Sequence, residues 1–198
     1  MEKFIPDVKS LELDNLAKSA NLLADQKNFG DAFRLYEKAL NSREVIYGLN
    51  HIDTLNVVYI FAIFLTKQDK KHYKRSEELF NRAMEGFTQY YGLCHSATLK
   101  VAHTYARFLK KIDKLSKSKK LFSKILKEYE KIWGKDHRYT INTVNNLASV
   151  LKLQGNFQEA RVLFDQAWST SSATLGENHP ETIMYRKNLQ FCIEQLVF

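Results

Sequence analysis

An eight-residue pattern that occurs four times along the chain severely restricts the folds open to it. The pattern reads Gly-x-x-His-x-x-Thr, followed by Leu or Ile. Its four copies begin at Gly48, Gly92, Gly134 and Gly176. Their intervals of 44, 42 and 42 residues are typical of repeat architectures, in which one supersecondary unit stacks on copies of itself. The sequence therefore predicts a single repeat domain over residues 1–198.

Apolar periodicity divides each unit into two helices. In the fourth unit, apolar residues from Val144 to Leu151 are spaced i, i+3, i+4, i+7, as on one helix face, and those from Ala160 to Ala167 repeat the spacing. Gly155-Asn156 separates the two segments. Because seven Gly and two Pro are too few for the turns of a many-stranded sheet, we predict an all-α fold. The predicted repeats cover about residues 11–50, 51–92, 93–134 and 135–176, and a terminal helix covers about 180–196.

Small residues recur at the same interval on both predicted helices of each unit, where we expect them to let the two backbones approach closely. They are Ala20, Ala62, Ala106 and Ala148 on first helices, and Ala32, Ser76, Ser118 and Ala160 on second helices. The glycines of the pattern are expected to end each second helix in the left-handed conformation, and the histidines to close the start of each first helix. The two extra residues of the longer interval fall in the turn between Ala62 and Ser76.

These residues resemble a known family. Small residues at two fixed places, followed by an aromatic and another small residue, are similar to the tetratricopeptide pattern, whose usual period is about 34 residues. The 42-residue period and the runs Asn145–Ala148 and Gly155–Ala160 resemble the longer repeat of kinesin light chains and their relatives. The resemblance implies a tetratricopeptide-type α-solenoid, a right-handed superhelix of four helix pairs plus a C-terminal helix. Because no heptad segment precedes the repeats, we do not expect a kinesin subunit.

Cysteine usage and hydropathy indicate a cytoplasmic protein. The two cysteines, Cys94 and Cys192, are 98 residues apart, whereas small secreted proteins commonly carry several bridges. The segment Met1–Asp7 has acidic residues and no apolar core of a signal peptide. The longest apolar run, Val57–Leu65, has nine residues, about half of what a transmembrane helix needs.

Basic residues concentrate in one unit. The net charge is +8, and residues 93–134 hold eleven Lys and Arg against three Asp and Glu. Because equivalent turns of a solenoid lie along one edge, we expect the basic turns of repeats two and three to form a ridge. The ridge is predicted from Lys70, Lys71, Lys74, Arg75, Lys110, Lys111, Lys114, Lys117, Lys119 and Lys120. Such a ridge either serves solubility alone or attracts an acidic protein surface, a nucleic-acid backbone without sequence specificity, or anionic lipid.

The predicted concave face is lined by first helices. Asparagines there suit an extended peptide backbone, and cations suit acidic side chains, so the lining favours an acidic peptide segment. It comprises Asn21, Asn56, Tyr59, Ile63, Lys67, Lys100, His103, Arg107, Asn142, Asn145, Asn146, Ser149 and Lys152, with Lys110 and Lys111 assigned to both surfaces. The resemblance implies that Asn145 and Asn146 contact a bound peptide. The equivalent positions in the first three repeats are Lys18, Ile60 and Thr104, so the asparagine is not repeated there. Only half of a two-carboxylate clamp is present, because Ala17 and Thr104 replace two of its members.

No residue pattern indicates an enzyme. The histidines of the repeated pattern are spaced too far apart to share one metal ion. Cys94 and His95 are adjacent, so their side chains diverge, and no orienting acid is evident. There is no glycine-rich phosphate loop. We therefore predict a protein with no cofactor, no metal and no small-molecule substrate.

Two functions stay open on the sequence. The first is a non-catalytic protein–protein interaction scaffold or adaptor that binds an acidic or extended partner segment through the groove and the ridge of repeats two to four. The second is a constitutive structural subunit of a larger protein or ribonucleoprotein assembly that uses the ridge. The apolar residues Leu196, Val197 and Phe198 also suggest self-association through the C-terminal end.

Overall fold

The computed structural model describes residues 8–197, and this part of the chain is helical throughout apart from short connections. The predicted all-α fold class, with two helices in each repeat, is confirmed. The helices are α1 (Val8–Asp25), α2 (Phe29–Tyr47), α3 (Ile52–Thr66), α4 (Tyr73–Tyr91), α5 (Ser96–Lys111), α6 (Leu115–Trp133), α7 (Arg138–Leu153), α8 (Phe157–Leu175) and α9 (Pro180–Glu194).

The chain forms two compact units, whose boundary lies between Val101 and Ala102. In the N-terminal unit, α1 packs against α2, α2 against α3, and α3 against α4. In the C-terminal unit, α6 packs against α7, α7 against α8, and α8 against α9. Within each unit, packing is therefore mainly between helices that are neighbours in sequence, as expected of stacked repeats.

Buried serine hydroxyls lie at the small-residue contacts of two helix pairs. The Ser76 hydroxyl donates to the Ala62 carbonyl oxygen at 2.9 Å, and the Ser118 hydroxyl donates to the Ala106 carbonyl oxygen at 2.8 Å. All four residues are fully buried. The predicted close approach of the two backbones is confirmed, because a short side chain on one helix reaches the main chain of the other.

Aromatic side chains fill the space beside these contacts. Tyr36, Phe80, Phe122 and Phe164, each four residues after the small residue of a second helix, are buried. The Tyr36 ring stacks on Phe61 with 5.2 Å between centroids, and its hydroxyl donates to Asn21 Oδ1 at 2.6 Å. Burial, with a smaller effect of the Asp25 charge, raises the pKa of Tyr36 to about 12.

The repeated Gly-x-x-His-x-x-Thr pattern closes the turn between consecutive repeats. In the first copy, His51 Nδ1 accepts a hydrogen bond from the Asp53 backbone N–H at 3.3 Å and so caps α3. The Thr54 hydroxyl, fully buried, donates to the Gly48 carbonyl oxygen at 2.9 Å. The same histidine cap recurs at His95, His137 and His179. The expected structural role of the histidines is confirmed.

Gly48 departs from the conformation that we expected. Its φ of 89° is positive as predicted, but its ψ of 168° lies outside the left-handed helical region. This extended conformation at positive φ is essentially restricted to glycine. A left-handed helix cap also admits asparagine, so Gly48 is required more strictly than we expected. The chain thereby leaves α2 in an extended direction and reaches the histidine cap of α3 within three residues.

The longer interval between repeats is taken up by a turn, as predicted. The segment between α3 and α4 contains a 3-10 helix, Lys70–His72, whereas α7 and α8 are joined by three residues only. Within residues 8–197, none of the helices combines the length and apolar character needed to cross a membrane.

The apolar C-terminal end is described only in part. Leu196 and Val197 are exposed, at 43% and 74% of their surface. Phe198, the third residue of the predicted self-association segment, lies outside the described residues, as does the acidic segment Met1–Asp7. Self-association through this end therefore stays a prediction.

Candidate partner-binding groove

A hydrogen-bonded polar cluster connects α5 with α7 in the C-terminal unit. Asn146 Nδ2 donates to the backbone oxygen and to the side-chain oxygen of Asn142, each at 2.9 Å. Its Oδ1 accepts a hydrogen bond from Lys110 Nζ at 3.1 Å. Lys110, which the sequence assigned to both surfaces, is therefore directed from α5 towards α7.

A second cluster connects α7 with α9. Lys152 Nζ donates to Asn188 Oδ1 at 3.1 Å, and Asn188 Nδ2 donates to Asn145 Oδ1 at 3.4 Å. The Lys152 ammonium also lies 5.0 Å from the Phe191 ring centroid and 5.7 Å from that of Phe164. These contacts hold the charged end of Lys152 between two aromatic rings and an amide oxygen, all of them uncharged.

His103 lies beside the first cluster and is kept neutral. Burial lowers the pKa of His103 to about 4, and the charges of Arg107 and, more weakly, Lys110 act in the same direction. A hydrogen bond with the Asn142 side chain opposes the shift. The ring lies edge-on to Phe122, 5.5 Å between centroids. At neutral pH the imidazole is therefore an uncharged hydrogen-bonding group.

The positive charges of these clusters have no acidic partner in the described part of the chain. Neither α5 nor α7 contains an Asp or Glu, and Arg107, Lys110 and Lys152 form no ion pair within residues 8–197. The pKa of Lys110 is lowered, mainly by burial and then by the charges of Arg107 and Lys152. The charges of Arg107 and Lys152 therefore act against that of Lys110 without a compensating carboxylate.

The structure brings seven of the predicted groove residues together in the C-terminal unit, although not all are accessible. They are His103, Arg107, Asn142, Asn145, Asn146, Ser149 and Lys152. Asn145 and Asn146 are only 7% and 8% exposed, and the Ser149 hydroxyl donates to the Asn145 carbonyl oxygen at 2.8 Å. The asparagines chiefly position the lysines, which leaves Arg107 as the exposed member.

Sequence reasoning missed two members of this site, Asn188 and Tyr185 on α9. Asn188 lies 42 residues after Asn146, so the repeat interval would have found it if the alignment had been continued into the terminal helix. Tyr185 is buried and hydrogen-bonded to Asn142, and burial raises its pKa to about 12. It packs with Ile141, Val144 and Ala167 in the core of this unit.

The predicted groove residues of the N-terminal unit come from three helices: Asn21 lies on α1, Lys100 lies on α5, and the others lie on α3 or, for Lys67, directly after it. Ile63 and Lys67 line an open pocket together with Asn21, Asp25 and Phe29. Asn56 and Lys100 are exposed, whereas Tyr59 is buried. The Tyr59 ring packs against Phe80 and Phe87, each 6.3 Å away between centroids. Tyr59 is thus mainly a core residue.

The predicted ridge residues are largely exposed in both units. In the N-terminal unit, Lys71 lies 3.7 Å from Asp69 and Arg75 lies 3.6 Å from Glu78. In the C-terminal unit, half-buried Lys119 lies 3.6 Å from Glu159. The other ridge residues with exposed side chains are Lys70, Lys74, Lys111, Lys114, Lys117 and Lys120.

Comparison with known proteins supports the repeat assignment. The family model described as tetratricopeptide repeat matches residues 20–53 and 140–181. No match was found among curated proteins.

Solved structures share the fold at low sequence identity. A single-substitution variant of a Podosopora anserina protein, described as a kinesin light chain with nearly identical TPR-like repeats, superimposes with a TM-score of 0.83, at 17% identity over 97% of this chain and 89% of that one. BtubC (BKLC) from P. vanneervenii gives 0.77, at 14% identity over 93% and 72%. Bacillus thuringiensis PlcR, solved in complex with the peptide PapR7 and DNA, gives 0.61, at 17% identity over 98% and 66%.

The 42-residue interval, the two matched segments and the shared fold agree with one another. Proteins built from these repeats generally act by binding other proteins. At 17% identity the likeness to a kinesin light chain is one of fold. In these two segments the chain is similar to the tetratricopeptide repeat family, and its fold is like that of kinesin-light-chain-like repeat proteins.

Proposed function

We propose that this protein is a non-catalytic cytoplasmic scaffold that binds an acidic, extended segment of a partner protein through the groove and the basic ridge of repeats two to four. The observation that carries the proposal is the uncompensated charge of Arg107, Lys110 and Lys152. An acidic segment would supply the missing carboxylates, and charge-assisted hydrogen bonds to them are stronger than neutral ones.

The groove and the ridge contribute differently to binding in this proposal. Lys110 and Lys152 are held by Asn146 and Asn188, so they offer preorganised donors and little side-chain entropy is lost when they bind. The exposed ridge lysines attract the partner from a distance and raise the association rate. Fold likeness to PlcR, whose structure contains the peptide PapR7, supports a scaffold that accommodates a peptide.

An array of extended peptides with graded acidic content tests the proposal. The purified protein is applied at low and at physiological salt, beside a groove variant with Arg107→Glu and Lys152→Glu and a ridge variant with Lys114→Glu, Lys117→Glu and Lys120→Glu. We expect signal that rises with acidic content and is lost in the groove variant. Equal binding of acidic and neutral peptides, or an unchanged pattern in both variants, would overturn the proposal.

A second function, that of a structural subunit in a larger assembly, is favoured by exposed apolar residues in the N-terminal unit. Ile46 lies in the last turn of α2 and Leu49 lies two residues after its end, and Tyr90 and Leu93 occupy the equivalent places one 44-residue interval later. Their exposed fractions run from 47% to 60%. Sedimentation velocity separates the two functions, because a scaffold for peptides is expected to be monomeric and an assembly subunit to self-associate when it is purified alone.

A further inference from the structure

Five lysines form a straight row along one side of α6, and three of them belong to none of the surfaces described above. They are spaced by three and four residues in turn, which places them on one helix face over about 21 Å. The buried residues of the same helix, from Ser118 to Tyr129, lie on the nearly opposite face, since 3.6 residues make one turn. The row, called the lysine stripe below, consists of Lys117, Lys120, Lys124, Lys127 and Lys131, all of them exposed.

The equivalent positions of α2, α4 and α8 form no such stripe. Counted by the repeat interval, they are Asp31, Arg34, Lys38, Asn41 and Val45 on α2, Arg75, Glu78, Arg82, Glu85 and Gln89 on α4, and Glu159, Val162, Gln166, Ser169 and Ala173 on α8. Each of these sets has a net charge between −1 and +1, whereas the lysine stripe carries +5. A surface of mixed sign is sufficient for solubility, so solubility alone does not account for five lysines in one row.

The lysine stripe destabilises the helix that carries it. Each lysine is three or four residues from the next, and like charges at this spacing repel one another on a helix surface. Glu128 forms an ion pair with Lys131 at 2.9 Å, which offsets the repulsion at the C-terminal end of the stripe. A negatively charged surface laid along α6 would relieve the repulsion between neighbouring lysines.

The residue type favours a surface with diffuse negative charge as the partner. The cations of α6 are six lysines, with no arginine. Arginine binds single carboxylate or phosphate groups through a fixed pair of hydrogen bonds, whereas lysine is a point charge on a flexible stem. A row of such charges on one straight helix can meet a flat surface along its whole length.

Apolar side chains at the C-terminal end of the lysine stripe favour a lipid bilayer over nucleic acid. Ile132 directly follows Lys131 and is 46% exposed. Tyr139 is 56% exposed, and its ring lies 5.3 Å from that of Trp133 between centroids. Exposed aliphatic and aromatic side chains beside lysines are typical of helices that lie at a membrane interface, where the headgroups attract the charges and the acyl boundary accepts the apolar groups.

We propose that the lysine stripe docks this protein on an anionic bilayer surface, with the axis of α6 parallel to the membrane plane. The proposal goes beyond peptide binding and does not depend on it. The stripe shares Lys117 and Lys120 with the basic ridge, and the groove cations take no part in it. Each lysine near an anionic leaflet increases the affinity about fivefold.

Sedimentation of the full chain with lipid vesicles tests the docking. The vesicles consist of phosphatidylcholine alone, or of phosphatidylcholine and phosphatidylserine in a two-to-one mixture. We expect the mixed vesicles to bind at least tenfold more tightly than phosphatidylcholine alone, and this gain to decrease as salt increases, because salt screens the attraction. Duplex RNA and polyglutamate, titrated under the same conditions, represent the two other kinds of anionic partner.

Variants locate the binding on α6. Lys124→Gln with Lys127→Gln is expected to weaken binding to the mixed vesicles at least tenfold, since two of the lysine contributions are removed. Lys38→Gln with Lys187→Gln is the matched control, because it removes the same charge and Lys38 occupies on α2 the place that Lys124 has on α6. We expect the control to bind within about twofold of the unchanged protein. All four lysines are exposed; circular dichroism checks folding, and Lys124→Gln alone, expected to lose about fivefold, serves if the double variant does not fold.

Three results would each refute the docking. The first is equal binding to vesicles with and without phosphatidylserine, and the second is an equal loss in the α6 variant and its control. The third is that duplex RNA or polyglutamate binds more tightly than the mixed vesicles and loses this binding in the α6 variant, which would identify that kind of partner instead. Because the acidic peptide array depends on the groove variant, its result stands apart from the vesicle result, and either proposal can fail without the other.

Discussion

His103 shows at the scale of one residue how the groove depends on protonation. Its folded pKa of about 4 lies below the ordinary value of about 6.5, so the unfolded chain binds more protons between these pH values. Stability is therefore full above about pH 6.5 and falls as the pH decreases towards 4. The lost stabilisation is on the order of 2 kcal/mol at pH 5.

Replacement by glutamine removes this titration while an amide can still bond to Asn142. For His103→Gln we expect the free energy of unfolding to change less between pH 7 and pH 5 than in the unchanged protein, by about 2 kcal/mol. Urea titrations at both pH values measure the difference. An identical pH dependence in the two proteins would show that His103 is not held neutral.

A comparable prediction concerns Thr140, at the turn between α6 and α7. Its fully buried hydroxyl donates to the Gly134 carbonyl oxygen at 2.8 Å, and loss of a buried hydrogen bond that leaves an acceptor unsatisfied costs about 1–3 kcal/mol. Thr140→Val should lower the free energy of unfolding by that amount. Thr174→Val is the matched control, since Thr174 is exposed and bonds only within its own helix; an equal loss in both would contradict the turn interpretation.

At the scale of the helix pair, the small residue on each partner sets the separation. Ser118 is fully buried and donates to the Ala106 carbonyl oxygen, so Ser118→Leu must push α5 and α6 apart. We expect destabilisation of roughly 1–3 kcal/mol or more. Ser116→Leu places the same side chain two residues earlier at an exposed position and should cost little. Thermal unfolding of both variants checks this, and equal melting temperatures would disprove the packing argument.

The elements themselves were largely predictable, because repeated positions reveal which residues are constrained. Gly48 and its equivalents fixed the ends of second helices, and Ala62 with Ser76 located the longer turn. The side-chain contacts of the groove were less predictable from the sequence. Neither periodicity nor spacing indicates that Tyr59 turns into the core between Phe80 and Phe87, or that Asn146 holds Lys110, since rotamer choice depends on neighbours from other helices.

On the scale of the whole molecule, the net charge of +8 is concentrated in one repeat. Charge that is concentrated on a surface acts chiefly on the rate at which a charged partner is encountered. The attraction is screened beyond about 10 Å at 0.1 M salt, so this effect on the rate depends on the salt concentration. Replacing three lysines by glutamate, in Lys114→Glu with Lys117→Glu and Lys120→Glu, lowers the net charge by six, from +8 to +2. We expect slower association with an acidic peptide and a nearly unchanged dissociation rate.

Surface plasmon resonance at two salt concentrations measures both rates. The unchanged protein should lose association rate as salt increases, and the ridge variant should show a smaller salt dependence. Arg107→Glu should instead increase the dissociation rate, because it removes a contact made in the bound complex. If the ridge variant changes only dissociation, the ridge is part of the contact surface and does not act at a distance.

The 3-10 segment Lys70–His72 lengthens one turn without disturbing the helices on either side. Loop closure becomes only slightly less favourable as a loop grows, by about 0.6 kcal/mol for each doubling of its length. An epitope or a fluorescent reporter grafted between Asp69 and Lys71 should therefore leave the protein folded. This position gives a label that reports on partner recruitment in living cells without modifying either chain terminus.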